Sequence, residues 1–258
     1  MSYTRYVALG DSQTEGLGDG DDLRGLRGWA DRLAESLAAA EPGLLYANLA
    51  VRGRRAAEIH HRQLGPALDL KPDLVTVMAG MNDLIRPGFD VAETAGHMDA
   101  MIAALTGAGA RVVTVTFPDI GKIAPPARSL RPRVLDLNRR IRASAERHGA
   151  TLVDTFPHAV TTDARMWSVD RLHLSVEGHA RLAAAAAHAL DLPGSDESWT
   201  AAMAPVAAPP LWRSAWIEAR WLGSFAGPWI LRRVRGRSSG DGRFAKRPEL
   251  LPVVPDAL

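Results

Sequence analysis

The sequence contains no cysteine. That excludes disulfides, a thiolate-bound metal and a cysteine nucleophile. It has no run of about 18 apolar residues, so no segment reads as a membrane-spanning helix. It also lacks an excess of either charge: 31 basic residues against 29 acidic ones leave +2, too little to point to nucleic acid. Met1 leads almost directly into the first apolar run, with no room for a secretion signal, so a cytoplasmic protein is expected. What remains is ordinary for a globular chain. Its 258 residues, 47% hydrophobic and 23% charged, suit one large domain or one domain with an appendage.

Strand-like apolar runs alternate with helix-like stretches. The strands are expected at Tyr6–Leu9, Leu44–Leu49, Leu74–Met78, Arg111–Phe117 and Thr151–Asp154. The helices are expected at Trp29–Ala40, Ala56–Leu70, Val91–Leu105, Pro132–His148 and Ser175–Leu190, with Pro132 near a helix start and Ser175 as an N-cap. Five strands alternating with five helices predict an α/β fold: a doubly wound sheet of five parallel strands with right-handed crossovers.

Residues with chemistry cluster just past strand ends, where open α/β sheets bind ligands. Gly10-Asp11-Ser12 follows the first strand. A serine there acts as a nucleophile if a base reaches its hydroxyl and donors await the oxyanion. Asp11 reads as the residue that shapes the turn. Gly53, after the second strand, allows close backbone approach and offers an N–H. Gly80-Met81-Asn82-Asp83 follows the third strand, and Asn82 brings a neutral side-chain donor. Asp170-Arg171-Leu172-His173 precedes the last helix. Asp170 lies within one turn of His173 and can hold its far nitrogen.

These four segments, in this order, resemble the SGNH hydrolases, also called the GDSL esterase/lipase family, over roughly residues 4–190. Gln13 stands where the family name implies leucine. The resemblance implies a three-layer, flavodoxin-like fold and a cofactor-free serine esterase working through an acyl-enzyme. In it Ser12 attacks an ester carbonyl, His173 is the base and Asp170 orients His173. The Ser12 N–H, the Gly53 N–H and the Asn82 side chain form the oxyanion hole, and Gly10, Asp11 and Asp83 support the site. The expected substrate is a small-molecule ester, with an acetylated sugar and a longer acyl chain both open. Loops 13–28, 84–90 and 118–130 are expected to set pocket depth, with Lys122 solvated. The competing class is a non-catalytic binding module that uses the same crevice.

The other histidines lack a carboxylate partner in a comparable motif. His60, His61 and the acidic residues Asp19, Asp21 and Asp22 show no ligand spacing, so no metal is expected. Asp19–Asp22 reads as a flexible, solvated loop, with a pocket rim as the other reading.

Composition shifts at residue 193, which divides a hydrolase domain (1–192) from an extension (193–258). The extension holds five of the seven tryptophans, Trp199, Trp212, Trp216, Trp221 and Trp229, and a basic cluster of Arg232, Arg233, Arg235, Arg237, Arg243, Lys246 and Arg247. Leu211–Trp221 reads as a helix with Trp212 and Trp216 on one face, and the glycine- and proline-rich remainder reads as irregular. Partial docking on the domain, a cap over the acyl pocket and weak contact with an anionic membrane surface are the readings open for it.

Overall fold

The computed structural model describes residues 2–206, 210–227 and 238–253. Trp229, Arg232, Arg233, Arg235 and Arg237 lie outside the described residues. In chain order the elements are β1 (Arg5–Gly10), α1 (Ser12–Glu15), β2 (Gly20–Asp21), β3 (Gly25–Leu26), α2 (Trp29–Ala40), β4 (Leu45–Asn48), α3 (Ala56–Asp69) and β5 (Leu74–Met78). Then follow α4 (Met81–Leu84), α5 (Val91–Gly107), β6 (Arg111–Val115), α6 (Ile120–Ile123), α7 (Arg131–His148), β7 (Thr151–Val153), α8 (Val176–Ala189), α9 (Leu211–Trp221) and β8 (Arg247–Pro252).

The five expected strands form, and they are parallel, in the order β7-β6-β5-β1-β4. β5 is buried along its whole length, as a strand covered by helices on both faces must be. Central β1 pairs Val7 with Ala47 on one side and with Val75 on the other. The helices form two groups, α2 beside α8, and α3 beside α5 beside α7. Their apolar stripes bury Trp29, Leu33, Ile59, Met98, Met101, Ile102 and Leu137 against the sheet core. Ser175 caps α8, accepting from the Gly178 N–H at 3.2 Å, and the second residue of α7 is Pro132. This is the expected α/β fold with a mostly parallel, helix-flanked sheet.

The sheet has six strands rather than five, which corrects the irregular reading of the last segment. β8 joins antiparallel to β4, pairing Leu45 with Pro252, Tyr46 with Leu251 and Asn48 with Arg247. Pro248 and Pro252 hide the strand in the sequence because proline is depleted from strands. At a sheet edge its missing N–H costs no ladder bond. Arg247 fixes the pairing with a 2.8 Å bond from Nε to the Tyr46 carbonyl.

In the Asp19–Asp22 segment Asp19 is half-buried and the other three residues are exposed, but the segment is tied down. Asp19 meets Arg32 at 2.6 Å, and Asp22 lies between Arg52 at 2.8 Å and Arg243 at 2.7 Å. The α9 helix spans the predicted residues, and both Trp212 and Trp216 are exposed. Among the described residues no helix is long and apolar enough to cross a membrane.

Candidate active site

The site starts where β1 stops. Gly10 has no room for a side chain, since a Cβ there would stand 2.4 Å from Thr14 Oγ1 and 2.8 Å from the Met78 carbonyl. The amide of Gln63 on α3 grips this glycine, bonding both its N–H and its C=O at 2.9 Å. Asp11 caps α1 by accepting from the Gln13 N–H at 3.2 Å. Ser12 opens the helix and is largely buried. Asp11 shapes the turn, as expected.

Asp170 and His173 meet as the spacing predicts, with Oδ2 2.6 Å from Nδ1. The other carboxylate oxygen accepts from Ser168 Oγ at 2.6 Å and from the N–H groups of Leu172 and His173 at 2.9 and 3.0 Å. Burial pushes the Asp170 carboxyl up. The hydrogen bond and charge of His173, with the backbone and Ser168 donors, outweigh that and hold it well below the usual range. Asp170 is therefore an ionised acceptor, with its partner at Nδ1, so that Nε2 of His173 remains for proton transfer. The departure at Gln13 acquires a reason here: its side chain bonds the Leu172 carbonyl and the Leu174 N–H, either side of His173. Among the hydrogen bonds of the described residues, none joins Ser12 Oγ to His173. Such contacts are often long without substrate.

Gly53 follows β4 with φ +77, and Ser238 and Ser239 pack against it. Asn82 opens towards the same region from α4. Its Nδ2 donates to Asp11 Oδ2 at 3.0 Å and to the Arg54 carbonyl at 3.1 Å. Burial raises the Asp11 carboxyl to about 6, against the pull of the Gln13 N–H, the His173 charge and Asn82. Asp83 accepts from the Ala56 N–H at 2.9 Å, fixing the start of α3, and burial raises its carboxyl too. The four predicted segments thus converge at the carboxyl ends of β1, β4 and β5 and the loop before α8.

Sequence reasoning missed the ties between them. Glu15 holds Arg52 at 2.6 Å and also accepts from the Arg52 N–H. Asn48 donates to the Thr14 carbonyl at 2.8 Å. Each lies within or beside a motif, but only the fold shows its partner. His179 is a buried packing residue. It accepts from the Trp29 N–H at Nδ1 and donates from Nε2 to the Leu17 carbonyl, both at 3.0 Å.

An apolar cavity of about 110 Å³ adjoins the site. Gln13, Met81 and Leu172, sequence neighbours of Ser12, Asn82 and His173, line it, as do Phe117, Ile120 and Trp167. The 118–130 loop contributes as expected, but 13–28 and 84–90 give only Gln13 and Ile85. Instead the 155–167 segment, α8 and Trp199 supply much of the wall. Lys122 is exposed and does not line it.

The extension reaches the site from two sides. Trp221 Nε1 donates to the Asp170 carbonyl at 3.0 Å, and Glu218 accepts from Nη1 and Nη2 of Arg171. Ser238 donates to the Gly53 carbonyl at 3.4 Å. One further cluster bears on the reading that His60 and His61 show no ligand spacing. His60 and His61 on α3 meet His97 on α5, with Nδ1 of His60 2.9 Å from Nδ1 of His97. Linear spacing cannot show a third ligand carried by another helix.

A family model described as the GDSL-like lipase/acylhydrolase family matches residues 8–181. No curated protein matches the sequence. Among solved structures, LAE5, an alpha/beta hydrolase from the metagenome of Lake Arreo, Spain, superimposes with a TM-score of 0.63 at 24% identity, covering 75% of this chain and 98% of its own. A lipase/acylhydrolase from Enterococcus faecalis gives 0.58 at 23%, covering 72% and 94%. A variant of Axe2, an acetyl xylan esterase from Geobacillus stearothermophilus, gives 0.61 at 22%, covering 74% and 96%. These likenesses establish the shared fold, and the model match over more than half the chain establishes the family. The chain belongs to the GDSL-like lipase/acylhydrolase family and is a carboxylic ester hydrolase.

Proposed function

We propose that the protein is a serine esterase in which Ser12 is the nucleophile, His173 the general base and Asp170 the group that orients it. Ser12 Oγ bonds to the carbonyl carbon as its proton passes to His173 Nε2. The Ser12 and Gly53 N–H groups and the Asn82 amide receive the oxyanion, Asn82 turning one N–H to it from the Arg54 carbonyl. Collapse breaks the C–O bond, and the alcohol leaves with the proton held by His173. Water then hydrolyses the acyl-enzyme by the same route. The observation that carries this reading is the 2.6 Å contact between Asp170 and His173, on a loop bonded to the residue next to Ser12.

The hydrolase domain, residues 1–192, supplies all these groups, and Glu218, Trp221 and Ser238 of the extension, 193–258, buttress them. The apolar cavity favours a hydrocarbon acyl chain over acetate as the group held in the acyl-enzyme. The exposed Trp212 and Trp216, beside Arg213 and Arg220, form the face through which the extension would make a weak contact with an anionic lipid surface.

The test is hydrolysis of p-nitrophenyl esters from acetate to palmitate by the wild type and Ser12→Ala side by side. The expected result is activity that peaks beyond acetate and vanishes in Ser12→Ala. Activity retained by the variant, or none in the wild type, would overturn the mechanism. A preference for acetate would overturn only the acyl-chain assignment. Labelling by a fluorophosphonate, which needs an activated serine, separates this reading from a binding module.

A further inference from the structure

On the outer helices, three imidazoles form a triangle that the esterase reaction does not use. Half-buried His60 and exposed His61 come from α3, and half-buried His97 from α5. The ring centres lie 5.1 Å apart for His60–His61, 5.2 Å for His60–His97 and 5.5 Å for His61–His97. One ligand nitrogen from each lies within 4.8 Å of the other two.

Tetrahedral Zn–N bonds of about 2.0–2.1 Å place ligand nitrogens about 3.3 Å apart and imidazole centres about 5 Å apart. The ring spacing already fits that figure. The His60–His97 nitrogens, at 2.9 Å, are a few tenths of an ångström inside it. Rotation about the terminal side-chain torsions, which are broad for histidine, brings His61 in. The donors are imidazoles only, without carboxylate or thiolate among the three, which suits zinc, nickel or copper rather than magnesium or calcium.

We propose that His60, His61 and His97 form a site for a late first-row divalent cation, zinc in the first instance, that staples α3 to α5. The staple has mechanical reach. His60 lies one turn after Ala56, whose N–H is held by Asp83, and Gln63 of the same helix grips Gly10. Three protein ligands leave the fourth position to water. The site is separate from Asp170 and His173 and holds whether or not the esterase reading does.

The test uses the full-length chain, made without a histidine tag and stripped with EDTA, and titrated with Co²⁺. The expected result is a single equivalent bound, with the intense visible spectrum of four-coordinate cobalt, bleached by Zn²⁺. Zinc raises the melting temperature. In His97→Ala and in His61→Ala, binding weakens at least tenfold and the spectrum is lost, while the metal-free proteins keep wild-type circular dichroism and esterase activity. His61 is exposed, so its variant stands in if His97→Ala fails to fold. A pale, six-coordinate spectrum, or equal affinity in the histidine variants, overturns the site. So does binding that disappears in His173→Ala but persists in His97→Ala.

Discussion

The side-chain amide of Gln13 brackets His173, donating to the Leu172 carbonyl at 2.8 Å and accepting from the Leu174 N–H at 3.1 Å. The residue next to the proposed nucleophile therefore sets the height of the loop that carries the proposed base. Gln13→Leu keeps the volume and removes both bonds. Two bonds to backbone are worth about 2 kcal/mol together, and their loss loosens His173 without moving the fold. The expected outcome is a fall in kcat of about tenfold, with KM nearly unchanged and circular dichroism intact. Steady-state kinetics on a p-nitrophenyl ester decide it, and an unchanged kcat would show that Gln13 does not position the base.

The extension should matter to the same loop. Trp221 donates to the Asp170 carbonyl, and Arg171, at φ +56, is clamped by Glu218 and stands 4.8 Å from the Trp221 ring centre. A non-glycine residue in the left-handed region costs about 1–2 kcal/mol, so the turn needs outside support. Trp221→Phe removes the donor and keeps a ring; Trp221→Ala removes both. Activity should fall about threefold in the first and about tenfold in the second, equivalent to roughly 0.6 and 1.4 kcal/mol. Glu218→Gln should cost less than Trp221→Ala, about 1 kcal/mol at most, because Glu218 is 46% exposed and water screens the pair. Wild-type rates in Trp221→Ala would make the extension irrelevant to catalysis.

These two ties mark how far the sequence could be read. The five parallel strands were legible because Leu74–Met78 and its counterparts are apolar along their length and separated by helical spacing. Asp170 and His173 were legible because their pairing is local. Gln13 was seen only as a departure from a motif, since its partners lie about 160 residues away. β8 was invisible for a different reason. An exposed edge strand carries no alternating burial, and its two prolines argue against a strand wherever its place in the sheet is unknown. The His60–His61–His97 cluster was missed because each helix shows at most two of the three ligands.

Gly53→Ala tests the docking of the extension against the loop after β4. Gly53 has φ +77, and a Cβ there would stand 2.4 Å from Ser238 Oγ and 2.9 Å from Ser239 Oγ. The left-handed backbone alone costs alanine about 1–2 kcal/mol. The serines must also retreat, taking the loop's contact with the extension with them. The expected outcome is a lower melting temperature, together with faster proteolysis within residues 238–253. Protection equal to wild type would show that the extension does not rest on this glycine.

The buried imidazole of His179 should make the protein acid-sensitive above the range in which carboxylates titrate. Burial, first, lowers its pKa from 6.5 to about 4, only partly offset by its bond to the Leu17 carbonyl and by Asp19. Between those values the unfolded chain binds the proton and the folded one does not. Stability therefore falls as pH drops from about 6.5 towards about 4, by an amount on the order of 3 kcal/mol. Asp11 works in the opposite sense. Its carboxyl is raised to about 6, so the folded state takes up its proton first and gains stability as pH falls from about 6 to about 4. The two must be separated. His179→Gln keeps a donor for the Leu17 carbonyl, loses the titration and leaves Asp11 untouched. Urea unfolding at about pH 7 and about pH 4.5 should show the wild type losing more stability than His179→Gln over that interval, although the variant is the less stable at about pH 7. Equal losses in both proteins would mean that His179 does not control acid stability.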